Sequence, residues 1–190
     1  MRFRTQNLFP VGVLTFLAAL TFWLDRVTQV DAVRDDAKRR HDPDYIAEAF
    51  TVKSFGTEGG IESTLTAARM VHYPDDDTTL MTLPRLSSHR GARATHVAAA
   101  QALVGPDGRE MTFVENVRVV RDATRTDPAV VLATQSLTLF PDDEIMRTAA
   151  PVTVTQGASV LRGTGLDADN RTGTLQLLGS VSGTIERKRR

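Results

Sequence analysis

An all-β domain built from strand-turn-strand repeats, preceded by one N-terminal transmembrane helix, is the fold class this sequence predicts, on three observations. Residues 8–24 (LFPVGVLTFLAALTFWL) are strongly apolar and sit within an uncharged run. From residue 42 onward, short stretches alternate apolar with polar residues and are separated by clusters of Pro, Asp, Asn and Gly, the pattern of successive half-buried strands. The turn clusters also recur with apolar residues at fixed offsets behind them, which marks an internal repeat.

The apolar run has about the length needed to span a bilayer as a helix, roughly 20 residues. Phe22 and Trp23 stand at its far end, where amphipathic rings favour the headgroup region, and Asp25 with Arg26 ends it abruptly. A cleaved signal peptide is the competing reading, with Arg2 and Arg4 ahead of the run and Val30-Asp31-Ala32 as the cleavage box. The run exceeds the roughly 7 to 15 residues of a usual signal core, and the box lies across charged ground, so an uncleaved anchor is expected. Arg26, Arg34, Lys38, Arg39 and Arg40 follow the run, so charge counting alone does not turn the C-terminal part outward; long domains translocate largely regardless of charge. The predicted organisation is tail and anchor over 1–24, a charged linker over 25–41, one β domain over 42–186 and a solvated basic tail over 187–190.

Within the β domain, Pro106 is followed at plus five and plus eleven by Met111 and Val117, Pro141 by Met146 and Val152, and Asn170 by Leu175 and Val181. Pro74 opens a first copy whose turn carries one extra residue, so Leu80 and Leu86 follow one position later. Two-residue spacing places Val117 with Val119, Leu137 with Leu139, Val152 with Val154, and Leu175, Leu177 and Val181 together on apolar faces, the expected interior. A strand-turn-strand unit cannot cover its own apolar face, so units must stack, and an unclosed stack leaves two edges with free backbone groups. Ala47, Phe50, Val52 and Phe55 mark the expected N-terminal edge; Thr174, Ser182, Thr184 and Ile185 mark the C-terminal one.

Composition narrows the function. Lys and Arg total 23 and Asp and Glu total 23, so no global charge draws the chain to nucleic acid. Absence of cysteine removes disulfides, thiol catalysis and Cys-ligated zinc. His41, His72, His89 and His96 lack the spacing of helical zinc motifs. The acidic triplets 75–77 and 142–144 follow prolines, where Asp serves turns, and Asp167-Ala168-Asp169 continues with residues unsuited to a calcium loop. No serine stands in a nucleophile-elbow context, and Gly163-Thr164-Gly165 lies inside a strand-like run rather than before a helix. No enzyme, metal or cofactor is expected.

One family shares these features. Pro43-Asp44-Tyr45, Phe50, Gly60 ahead of a strand and Leu65-Thr66-Ala67 leading to Tyr73-Pro74-Asp75 resemble the start of the periplasmic domain of LptC, a lipopolysaccharide-export component of Gram-negative inner membranes. Asn116-Val117-Arg118-Val119, Pro151-Val152-Thr153-Val154, Gly163-Thr164-Gly165-Leu166 and Leu177-Leu178-Gly179 are similar to its repeat signature. Where many relatives carry an aromatic after the glycine, this chain has Glu62-Ser63-Thr64. The resemblance implies an open twisted β-jellyroll in the periplasm that holds lipid A acyl chains between its sheets. It further implies receipt of lipopolysaccharide from the LptB/LptF/LptG ABC transporter and delivery to the LptA bridge; because a stacked repeat has two unlike edges, the N-terminal edge near the anchor is expected to dock the transporter and the C-terminal edge the bridge. The alternative is an anchored β-scaffold of another envelope assembly, of secretion or pilus type, that binds no lipid.

Overall fold

The computed structural model of the chain describes residues 8–28, 41–90 and 93–186. Residues 1–7, the linker positions 29–40 with the weighed cleavage box, and the basic tail 187–190 lie outside the described residues. The chain opens with helix α1 (Leu8–Thr28), whose Pro10 falls in the first turn, where a missing amide donor is harmless. Among the described residues no helix is long and apolar enough to cross a membrane; the expected anchor starts at Leu8, whereas described side chains start at Gly12.

Among the described residues eleven strands follow: β1 (Tyr45–Phe55), β2 (Ile61–Tyr73), β3 (Thr78–Thr82), β4 (Arg85–Ser88), β5 (Thr95–Ala98), β6 (Gln101–Val104), β7 (Met111–Arg121), β8 (Val130–Phe140), β9 (Ile145–Gln156), β10 (Ser159–Asp169) and β11 (Thr174–Thr184). They form one continuous antiparallel ladder. The four repeat turns fall between β2 and β3, β6 and β7, β8 and β9, and β10 and β11.

The long strands do not run flat. Ala49 in β1, Glu115 and Asn116 in β7 and Ser180 in β11 have φ of 48°, 63°, 54° and 47°, and Gly165 in β10 has φ of 80°. Such left-handed residues form bulges that bend a strand and disturb its register, and register shifts fall at Val114/Val117 and Thr164/Leu166. In β9 the bend holds Pro151, which tolerates a bulge because it has no amide to leave unpaired. Leu83, with φ of 50°, separates β3 from β4 outright.

Bending assigns the two halves of each long strand to different sheets. The first sheet joins the C-terminal half of β1, the N-terminal half of β2, β4, β5, and then the C-terminal half of β7 with the matching halves of β8 to β11. The second joins the N-terminal half of β1, the C-terminal half of β2, β3, β6, and the N-terminal half of β7 with the remaining halves. Thus β3 with β4, and β6 with β5, are halves of bent strands that have broken. Phe113, Leu137, Met81, Val117 and Leu166 are at most 1% exposed and fill the space between the sheets near the bends. Burying such a side chain contributes roughly 1.5–3 kcal/mol, which is what holds the fold over.

Register makes the interior readable as rungs. Across the first sheet, Val52, Leu65, Leu86, Val97, Val119, Leu132, Val154 and Leu161 are successive partners, an unbroken apolar rung. Two positions further out along the same face lies a polar rung, Ser54, Ser63, Ser88, Thr95 and Arg121. Opposite, the second sheet presents Met111, Leu139, Met146, Ala168 and Leu175 as partners.

Candidate functional site

Away from the bends the sheets part, leaving a cavity of about 290 Å³ between them. That is near the roughly 300 Å³ lower bound of small-molecule pockets. Val52, Leu65, Leu86 and Val97 form one wall, Met111, Leu139 and Met146 the other, and Ser54, Ser63, Ser88 and Thr95 ring the outer part. Ser63, the middle residue of Glu62-Ser63-Thr64, lines the outer part of the cleft. A second cavity of about 40 Å³ continues beneath β7 to β11, between Val119, Leu132, Leu137, Leu166 and Leu175.

At the outer end the cleft meets a polar cavity of about 380 Å³ lined by Arg90, Arg93, Arg121, Arg171, Glu144 and Asn170. Arg121 Nη2 donates to Asn170 Oδ1 at 2.9 Å, and Asn170 Nδ2 donates to Glu144 Oε2 at 3.2 Å. Arg90 donates to Glu62 Oε2 at 2.8 Å and to the Pro141 carbonyl at 3.1 Å. Partial burial, with the charge of nearby Arg93, pushes Arg121 below the usual guanidinium value.

Of the residues expected on the interior, Val117, Val119, Leu137, Val152 and Val154 are buried in the core. Leu139 lines the large cleft; Val119, Leu137 and Leu175 line the small cavity. Leu177 packs against the core from its periphery. Val181 departs from expectation: it is 56% exposed, because it lies on the last strand beside the Ser180 bulge, where interior parity no longer brings cover.

Both expected edges exist as edges. Among the described residues β1 pairs only with β2, and β11 only with β10. Phe50 packs on the core and Val52 lines the cleft, whereas Phe55 is exposed. Ala47 is half-buried; Thr174, Ser182 and Thr184 are exposed, and Ile185 lies just beyond the end of β11.

The polar motifs resolve as local structure. Asp76 accepts from the Thr78 amide and hydroxyl at 3.1 and 2.6 Å. Asp169 accepts from the Arg171 and Thr172 amides at 2.8 and 3.1 Å, which holds its carboxyl below the usual range. Both acids serve their turns. Sequence reasoning missed the arginine mouth and most of the cleft wall. Met111 and Met146 carried a signal in the plus-five repeat offset, whereas the arginines come from the β4–β5 connection (Arg90 and Arg93), a strand end (Arg121) and a turn (Arg171).

The family model for lipopolysaccharide-assembly, LptC-related proteins matches residues 12–186. The chain therefore belongs to the LptC-related lipopolysaccharide-assembly family. It is a component of the lipopolysaccharide export machinery, working in the cell envelope with lipopolysaccharide and other parts of that transport system. Among solved structures it is similar to LptH, the LptA-homologous periplasmic component of the lipopolysaccharide transport device of Pseudomonas aeruginosa. That similarity has a TM-score of 0.49 at 8% identity and covers 80% of this chain and 99% of that one. No curated protein matches the sequence.

Proposed function

We propose that the chain holds the acyl part of lipopolysaccharide in the cleft between its two sheets, taking it from the inner-membrane LptB/LptF/LptG transporter and passing it to the LptA bridge. The observation that carries this reading is the apolar cleft itself, walled by Val52, Leu65, Leu86, Val97, Met111, Leu139 and Met146. Acyl chains gain roughly 0.8 kcal/mol per buried methylene, so binding needs no chemistry beyond burial, and the carrier acts without catalysis. Direction must then come from an energised partner.

Helix α1 would anchor the carrier in the inner membrane, with the β domain over 42–186 in the periplasm. Leu14, Phe16, Leu17, Phe22 and Trp23 are all exposed on it, and a helix that is apolar all round requires a nonaqueous neighbour. The edge strands β1 and β11 would serve the transporter and the bridge respectively, by strand addition. A photo-crosslinking residue at Leu86 or Leu139 should capture lipopolysaccharide in cells, while one at the Asp76 turn should not. Equal capture at Asp76 would reduce the lipid contact to nonspecific surface binding and refute the cleft.

A further inference from the structure

We propose that Arg93, Arg121 and Arg171 form a binding site for the phosphate-bearing headgroup of the amphiphile whose acyl part occupies the cleft. This rests on the cleft reading and adds a second site, of opposite chemistry, at its mouth. Three observations support it.

The first is continuity. Arg90, Glu144 and Asn170 line both the apolar cleft and the arginine cavity, so one molecule can reach from one into the other. The second is charge. Four arginines line the outer cavity against one carboxylate, Glu144, and Arg90 is already paired with Glu62. Among the described residues neither Arg93 nor Arg171 makes a side-chain ion pair, and Arg121 bonds to the neutral Asn170.

The third is an unmet donor. Arg93 Nη1 is buried and has no hydrogen-bond partner. A buried donor on a cation is costly to leave unmade, and two guanidiniums near one another repel unless an anion joins them. Burial and the charge of nearby Arg93 both disfavour the charged form of Arg121, so an anion drawn to this group would relieve it. Guanidinium groups match carboxylate and phosphate oxygens in fork geometry, and a phosphate, with its several charged oxygens, can serve Arg93, Arg121 and Arg171 together. On the first sheet, Arg121 ends the polar rung, one step outside the apolar one. Along that face an acyl wall gives way to a single ledge of hydroxyls ending in a cation, the change of polarity a phosphorylated amphiphile requires.

The test uses the full-length chain in non-ionic detergent, with diphosphorylated lipid A, the same lipid A stripped of both phosphates, and inorganic phosphate as probes. Arg93→Gln/Arg171→Gln should weaken binding of the phosphorylated lipid about tenfold or more and leave the stripped lipid unchanged. Lysine at both positions should recover part of the loss, and circular dichroism should match wild type. Leu139→Trp, which fills the cleft, should weaken both lipids. If the folded glutamine variant binds the phosphorylated lipid as wild type does, the headgroup site is overturned while the cleft stands. If Leu139→Trp changes neither lipid, the cleft reading itself fails. Arginine-dependent binding of inorganic phosphate, without discrimination between the two lipids, would make this a free-anion site and also overturn the proposal.

Discussion

His72 is held between two carboxylates: Nδ1 lies 2.7 Å from Asp44 and Nε2 lies 3.0 Å from Asp77, while Tyr45 stacks on its ring at 5.0 Å. It ties the start of β1 to the β2–β3 turn, and His41 repeats the device alongside, 2.7 Å from Asp75 and stacked on Tyr73. The Asp44 hydrogen bond raises His72 above its ordinary value of 6.5 and lowers Asp44 below 3.8. A raised histidine adds stability that is complete below its unfolded value and is lost as pH rises through the folded one; a lowered carboxylate adds stability that is lost as pH falls through its folded value. The tie is therefore strongest between the two. His72→Gln should lower the melting temperature most at about pH 5 to 6, with the gap to wild type narrowing as pH rises above 6.5 through the raised value. A gap that does not vary with pH would show that the ring acts only by packing. None of this was legible in the sequence, where Asp44, His72 and Asp77 are merely polar residues near a turn; the partnership exists only because β1 and β2 pair in this register.

Strands and turns were legible because period-two alternation and turn residues are local signals, and the repeat offsets identified equivalent positions. Met111 and Met146 at plus five lie in one sheet, and Val117 and Val152 at plus eleven in the other. The bend between them was not legible, since Glu115 and Ser180 rarely take the left-handed conformation they hold, and Asn116, which takes it more readily, is too common in turns and loops to mark a bend by itself. The same limit applies at the end of β11. Gly183 pairs with Leu161 there, and a Cβ would sit well inside contact distance of the Val160 carbonyl oxygen and the Leu161 Cα. Backbone on both sides of that contact cannot yield as a flexible side chain would. Gly183→Ala should detach the end of β11, seen as faster amide exchange at Arg162 and Ser182, with exchange at Phe113 and Leu137 unchanged because they lie in the core. Unaltered exchange at Arg162 would mean the edge absorbs the methyl group.

At the scale of the whole molecule, the all-β class, the interior of the middle strands and the family could be read from one sequence, whereas the cleft could not. Interior parity is the same for a solid core and for a container. Only the third dimension separates Leu137, fully buried, from Leu139, two residues on along β8 and already on the cleft wall. Among the described residues the strand ladder leaves two free edges, and they differ in what they expose. β1 presents Tyr45, Ile46, Val52 and Phe55, two of them aromatic, while β11 presents aliphatic Leu175, Leu178 and Val181 among small polar residues such as Ser182 and Thr184. On the proposed reading, the aromatic-bearing edge that follows α1 in the chain serves a partner in or at the membrane, and the edge far along the chain serves a soluble one added by main-chain pairing. Photo-crosslinkers at Phe55 and Ile46 should label transporter subunits, and those at Ser182 and Thr184 should label the bridge protein. Gly183→Ala should abolish the second set of adducts and leave the first intact. Labelling of the bridge from Phe55, or of the transporter from Thr184, would reverse the direction of transfer assigned to the fold.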